Sequence, residues 1–106
     1  MRPNPTFWKY VSRLKADFPL AYPVSVRTQD SIVCRVNGRL FGDCCFCNDK
    51  FYIRVARSSD EAIMCDTLMH EWAHAFVWEQ EQGHKRRFWD MYGQIYRHYL
   101  ENDTTN

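Results

Sequence analysis

His70-Glu71-Trp72-Ala73-His74 constrains this chain more than any other stretch, because it sets two histidines four residues apart inside an apolar pattern of helical period. Four residues of α-helix turn through about 400° and rise about 6 Å, so both imidazoles leave one face and can grip a single divalent cation. Glu71 follows His70 directly and points along that face, where a carboxylate can hold a water at an open coordination position and take its proton. The pattern implies a metal-dependent hydrolytic centre. Around it, Thr67, His70, Glu71 and His74 fall at i, i+3, i+4 and i+7 and form a polar stripe on a helix otherwise lined by Ile63, Met64, Leu68, Met69, Trp72, Phe76 and Val77. Unpaired polar groups buried on such a helix would cost about 1 to 3 kcal/mol each, and a bound metal removes that penalty.

Such a centre requires a third ligand, and the downstream polar candidates are Glu79, Glu81, His84, His98 and Glu101. His84 is the preferred one. Gly83 before it lets one helix end and the chain turn back, which sets the His84 side chain across from the first pair and gives the ligand set H-E-x-x-H-x9-H. Glu79 and Glu81 are the competing ligands.

The segment Thr67 to Ala75, the later Gly83-His84 followed by Phe88, and the strand-like Tyr52-Ile53-Arg54-Val55 preceded by Leu40-Phe41-Gly42 together resemble the SprT-like (SprT/Spartan) zinc metalloproteases. The resemblance spans nearly the whole chain, although only the H-E-x-x-H and G-H-x-x-x-F pieces are specific. It implies a small zincin-like α+β protease domain with one zinc ion, held by His70, His74 and His84, and with Glu71 as the catalytic base. It also implies that Tyr52, Ile53, Arg54 and Val55 form an edge strand that pairs with an extended protein or peptide substrate. An ordinary central strand is the competing expectation there. Two departures stand out: Lys85 follows the third histidine where the family usually has glycine, and the C-terminal zinc ribbon of many members has no counterpart in these residues.

The chain of 106 residues has room for one domain around one core, and aromatics at 16% make that core large for the length. A formal net charge of +1 gives no general field for drawing in nucleic acid. No apolar run approaches the roughly 18 residues of a membrane span, and no secretory apolar region follows Met1-Arg2-Pro3-Asn4-Pro5. Five cysteines, at 34, 44, 45, 47 and 65, lack a disulfide-framework spacing, so a cytoplasmic protein with reduced thiols is expected. Cys44-Cys45-Phe46-Cys47 lacks the paired knuckles of a structural zinc site.

Along the chain, Trp8, Val11, Leu14 and Phe18 recur at helical spacing and predict a helix from Pro5 to Asp17. The period then changes to two, with β-branched and aromatic residues separated by Gln29-Asp30-Ser31, Asn37-Gly38 and Asn48-Asp49-Lys50. Asn37-Gly38 is a type I′ hairpin signal. A three- or four-stranded, mainly antiparallel sheet is expected, with Arg39 to Phe46 as a strand or irregular return. Ser58 as N-cap and Glu61 three residues on form a capping box, predicting a helix from Ser59 to about Gln80. Phe88, Met91, Tyr92, Ile95, Tyr96, Tyr99 and Leu100 form the apolar face of a last helix, Lys85 to Glu101, with 102–106 as a frayed tail.

The mechanism implied is a zinc endopeptidase. The alternative from another class is a non-catalytic binding module stabilised by its metal. The basic cluster Lys85-Arg86-Arg87 beside the proposed site is either a solvated helix face or a contact for a nucleic-acid backbone or acidic substrate segment, the latter implying action on DNA-associated proteins. Tyr52, Arg54, Tyr92 and Tyr96 are the candidate donors to a developing oxyanion, and the sequence does not choose among them.

Overall fold

The computed structural model describes residues 5–34, 38–58, 60–80 and 85–104 of the 106. Helix α1 spans Pro5–Asp17, the predicted bounds. Proline suits a first turn, where its missing N–H would be unpaired anyway. The fully buried face is Phe7, Val11 and Leu14, with Trp8 and Phe18 only partly buried beside it. Phe7 takes the deepest place that the periodicity assigns to Trp8, whose ring stands edge-on to it at 5.1 Å.

Five strands follow: β1 Val24–Gln29, β2 Ile32–Cys34, β3 Gly38–Leu40, β4 Gly42–Cys47 and β5 Lys50–Ala56. β1, β5 and β4 form a mixed sheet in that order, with β1 parallel and β4 antiparallel to β5. β2 and β3 form a separate antiparallel pair, so two of the three pairings are antiparallel, consistent with the expected α+β fold. Asn37 lies outside the described residues. Gly38 has φ +71, the left-handed conformation a tight hairpin asks of glycine.

β5 is the middle strand, hydrogen-bonded on both sides. It cannot also pair with a substrate, so the edge-strand expectation for Tyr52, Ile53, Arg54 and Val55 is overturned. Its alternation explains the placement: Phe51, Ile53 and Val55 are buried against the helices, while Tyr52 and Arg54 face the other way. A strand contributing three side chains to the core belongs in the centre of the sheet.

Helix α2 spans Glu61–Phe76 and α3 spans Arg86–Thr104. The N-cap of α2 is Asp60, which accepts the Ala62 N–H at 3.0 Å, rather than Ser58. Ser58 instead accepts from the Asp60 N–H. Glu61 does not close the predicted capping box, because its carboxylate accepts the Phe7 N–H at 2.8 Å and so satisfies the first turn of α1. α2 also stops four residues short of the predicted Gln80. Beyond Phe76 the hydrogen bonds tighten, with Trp78 donating to Ala75 and Gln80 to Val77. α3 continues through Thr104, into the stretch expected to fray.

The core lies where α2 crosses the sheet and meets α1 and α3. Trp72 is fully buried at that junction and donates its indole N–H to the Phe18 carbonyl at 2.9 Å, which ties α2 to the end of α1. No helix among the described residues is long and apolar enough to cross a membrane.

Candidate metal centre

α2 presents the motif as its spacing requires. The His70 and His74 rings lie 4.9 Å apart, and ligand atoms of His70, Glu71 and His74 all fall within 4.8 Å of one another. His70 Nδ1 is 3.1 Å from Glu71 Oε2. With the proton on Nδ1, that contact leaves Nε2 as the lone-pair donor and orients the ring. Glu71 is buried, with only 7% of its surface exposed, while both histidines are half-buried. Two imidazole nitrogens and a carboxylate suit a borderline-soft divalent cation, so the residues present fit a metal.

α3 supplies the second wall. Phe88, fully buried, lies nearly parallel to His74, with centroids 4.2 Å apart and planes 26° apart, and stands edge-on to His70 at 4.9 Å. Tyr92, one turn on, meets His70 edge-on at 5.7 Å and donates its hydroxyl to Asp66. Burial, then that hydrogen bond, raises the Tyr92 hydroxyl pKa above its ordinary value. Sequence periodicity places Phe88 and Tyr92 on an apolar face without revealing that the face looks onto the histidines. Asp66 was missed altogether, although a carboxylate four residues before His70 on so apolar a helix is a signal.

The sheet supplies the third wall through β4. A Cβ added at Gly42 would come within 2.6 Å of Thr67 Cγ2, 2.8 Å of the Arg54 carbonyl oxygen and 3.5 Å of Glu71 Cγ. Only glycine lets the strand pass so close to α2. Thr67 belongs to the polar stripe by spacing, yet its hydroxyl donates to Ile63 O at 2.8 Å and its methyl faces β4. Cys44, two residues on, has its thiol pushed up to about 12 by burial and then by the Glu71 charge.

The remaining candidates distribute as follows. His84 and Glu81 lie outside the described residues. Glu79 is exposed and accepts the Tyr22 hydroxyl at 3.2 Å. His98 is half-buried at the far end of α3, 3.2 Å from Asp17 and edge-on to Phe18, so it does not join the centre. Tyr52 and Arg54 face away from α2, Tyr52 beneath Lys50 and Arg54 paired with Asp43, which removes both as oxyanion donors. Of the other two candidates, Tyr92 brings its ring to His70 but commits its hydroxyl to Asp66, and Tyr96 packs against Tyr92. Lys85, Arg86 and Arg87 are exposed, with Arg86 3.9 Å from Asp90 and Arg87 donating to Gln80.

No family model, curated protein or solved structure matches the chain.

Proposed function

We propose that this protein is a zinc-dependent endopeptidase of the SprT-like, zincin kind. The observation that carries the reading is the convergence of His70, Glu71 and His74 within 4.8 Å, on a helix face walled by Phe88 and by the glycine of β4. His70 and His74 would hold the ion, with His84 as the third ligand. When bound, zinc supplies positive charge that acidifies a water and polarises a peptide carbonyl.

The chain's own groups do the rest. Glu71 accepts the proton of the attacking water and passes it to the leaving amine nitrogen. Its contact with His70 engages one carboxylate oxygen and leaves the other to carry that proton. Burial of Glu71 keeps bulk water from competing for it. β4 is an edge strand of the sheet, and its outer edge has no partner strand among the described residues. A peptide added there would run past Glu71, and this moves the substrate-pairing role from β5 to β4.

One observation favours the second reading, a metal-stabilised binding module without hydrolysis. A buried carboxylate touching a ligand histidine is also how a purely supporting residue behaves. Glu71→Gln separates the two. For an endopeptidase the variant keeps stoichiometric zinc and loses cleavage of a fluorogenic peptide mixture, and His74→Ala loses both. For a supporting role, zinc affinity falls by about ten- to a hundredfold in Glu71→Gln, and no cleavage is seen in any form. Full cleavage by Glu71→Gln would remove the proposed mechanism.

A further inference from the structure

Tyr92, whose ring meets His70 edge-on, also lines a cleft of about 800 Å³ that opens between α1, α2 and α3. Its wall combines three chemistries. Tyr92 and Tyr96 stand at 83° to each other with centroids 6.3 Å apart, giving one ring edge and one ring face. Ile63 and Met69 add aliphatic surface, and Ile63 leaves 41% of its area exposed. Glu61 and Asp66 are the only charged residues of the wall among the described residues.

Both carboxylates already accept one hydrogen bond, Glu61 from the Phe7 N–H and Asp66 from the Tyr92 hydroxyl, and both donors are neutral. Their negative charges therefore face the cleft without a cationic partner among the described residues. Aromatic faces, an aliphatic floor and uncompensated carboxylates together suit a cation carried on an apolar stem. The molecule holds an example of its own: the Arg13 guanidinium, outside the cleft wall, lies 4.6 Å from the Tyr99 ring centroid and 5.3 Å from that of Tyr10. The cleft is also larger than a single side chain, so it has room for the backbone that carries it.

We propose that this cleft binds a lysine or arginine side chain of an extended peptide, with Asp66 as the charge partner and Tyr92 and Tyr96 as the ring walls. In the endopeptidase reading, on which the identity of the peptide as substrate rests, Tyr92 is the ring shared by the bound basic residue and His70. It then couples recognition to the centre through a single ring. Binding itself needs no hydrolysis.

The test uses fluorescein-labelled peptides of five residues, alike except for a central arginine or its neutral isostere citrulline, with binding to the full chain followed by anisotropy. The measurement is made on wild type and on Glu71→Gln, so a protein that cleaves nothing still reports binding. The arginine peptide is expected to bind at least tenfold more tightly than the citrulline peptide. Asp66→Asn, which keeps shape and an acceptor for the Tyr92 hydroxyl, is expected to erase that ratio. Ala62→Trp, which fills the cleft, is expected to weaken both peptides. Equal affinity for the two peptides, or a ratio that survives Asp66→Asn, overturns the proposal. Arginine amide alone binding as tightly as the pentapeptide would make the occupant a free small cation and overturn the peptide assignment.

Discussion

Phe88 lies against His74 as a near-parallel plate, 4.2 Å centroid to centroid. The ring is fully buried and also braces His70, so one α3 side chain fixes the orientation of both imidazoles offered by α2. Preorganised ligands lose less freedom on binding, so the plate should appear in metal affinity as well as in stability. Phe88→Leu is expected to stay folded, losing about 1 to 2 kcal/mol in a urea melt. Its zinc affinity, by competition with a chromophoric chelator, should fall several-fold. Unchanged affinity in the folded variant would show that the imidazoles hold their positions without the ring.

Gly42 brings β4 against α2 where Glu71 leaves the helix. Gly42→Ala would set a methyl 2.6 Å from Thr67 Cγ2 and 2.8 Å from the Arg54 carbonyl, and the strand must move to relieve it. Overpacking of this kind costs about 1 to 3 kcal/mol. Adding Thr67→Ser removes the facing methyl and keeps the hydroxyl, so the double variant should regain part of the loss. The carbonyl contact sets the limit of that recovery. A double-mutant cycle by thermal melting checks the coupling, and strict additivity would show that the two residues do not meet.

The motif helix and α1 were legible because each is governed by local chemistry: a four-residue ligand spacing in one, a proline start and an apolar stripe in the other. What failed depended on distant partners. Asp60 and Ser58 are both able caps, and Glu61 was drawn away from its local role by the Phe7 N–H, 54 residues distant. The end of α2 was hidden for a related reason. Val77 is buried and Trp78 packs on Phe51 at 5.8 Å, so the apolar pattern continues after the helix has stopped. β5 was misplaced because its parallel partner β1 lies on the far side of three intervening strands. Nothing in the alternation of a strand says whether its two edges are paired.

The β4–β5 turn is a stability reserve of the fold. Cys47 pairs with Lys50, leaving a two-residue loop in which Asn48 has φ 52 and Asp49 has φ 58. Two successive left-handed residues are what a type I′ turn demands, and a non-glycine residue there costs roughly 1 kcal/mol. Asp49→Gly removes that strain and gives back a smaller amount as added freedom in the unfolded chain. The variant should be more stable by about 0.5 kcal/mol in urea. A decrease would mean that the Asp49 side chain supports the turn more than its backbone conformation strains it.

Alkaline pH should loosen the molecule through two thiols, that of half-buried Cys44 and that of buried Cys65. Burial, followed by the charge of Glu71, pushes Cys44 up from 9.0 to about 12, and burial, then Glu61, pushes Cys65 up to about 11. Each folded thiol keeps its proton over an interval in which the unfolded one has lost it. Folded stability is therefore full below pH 9 and falls as pH rises toward 12, by up to about 1.4 kcal/mol per pH unit for a group such as Cys44. Tyr92 and Tyr99, raised chiefly by burial, add to the fall above about pH 10. Melting temperatures in EDTA should stay level from about pH 7 to 8.5 and then drop, with a shallower drop in Cys44→Ala whatever its stability at neutral pH. Because the Glu71 charge is part of the cause, saturating zinc should also lessen the Cys44 contribution. A Cys44→Ala protein that kept the wild-type slope would show that the thiol is no more buried folded than unfolded.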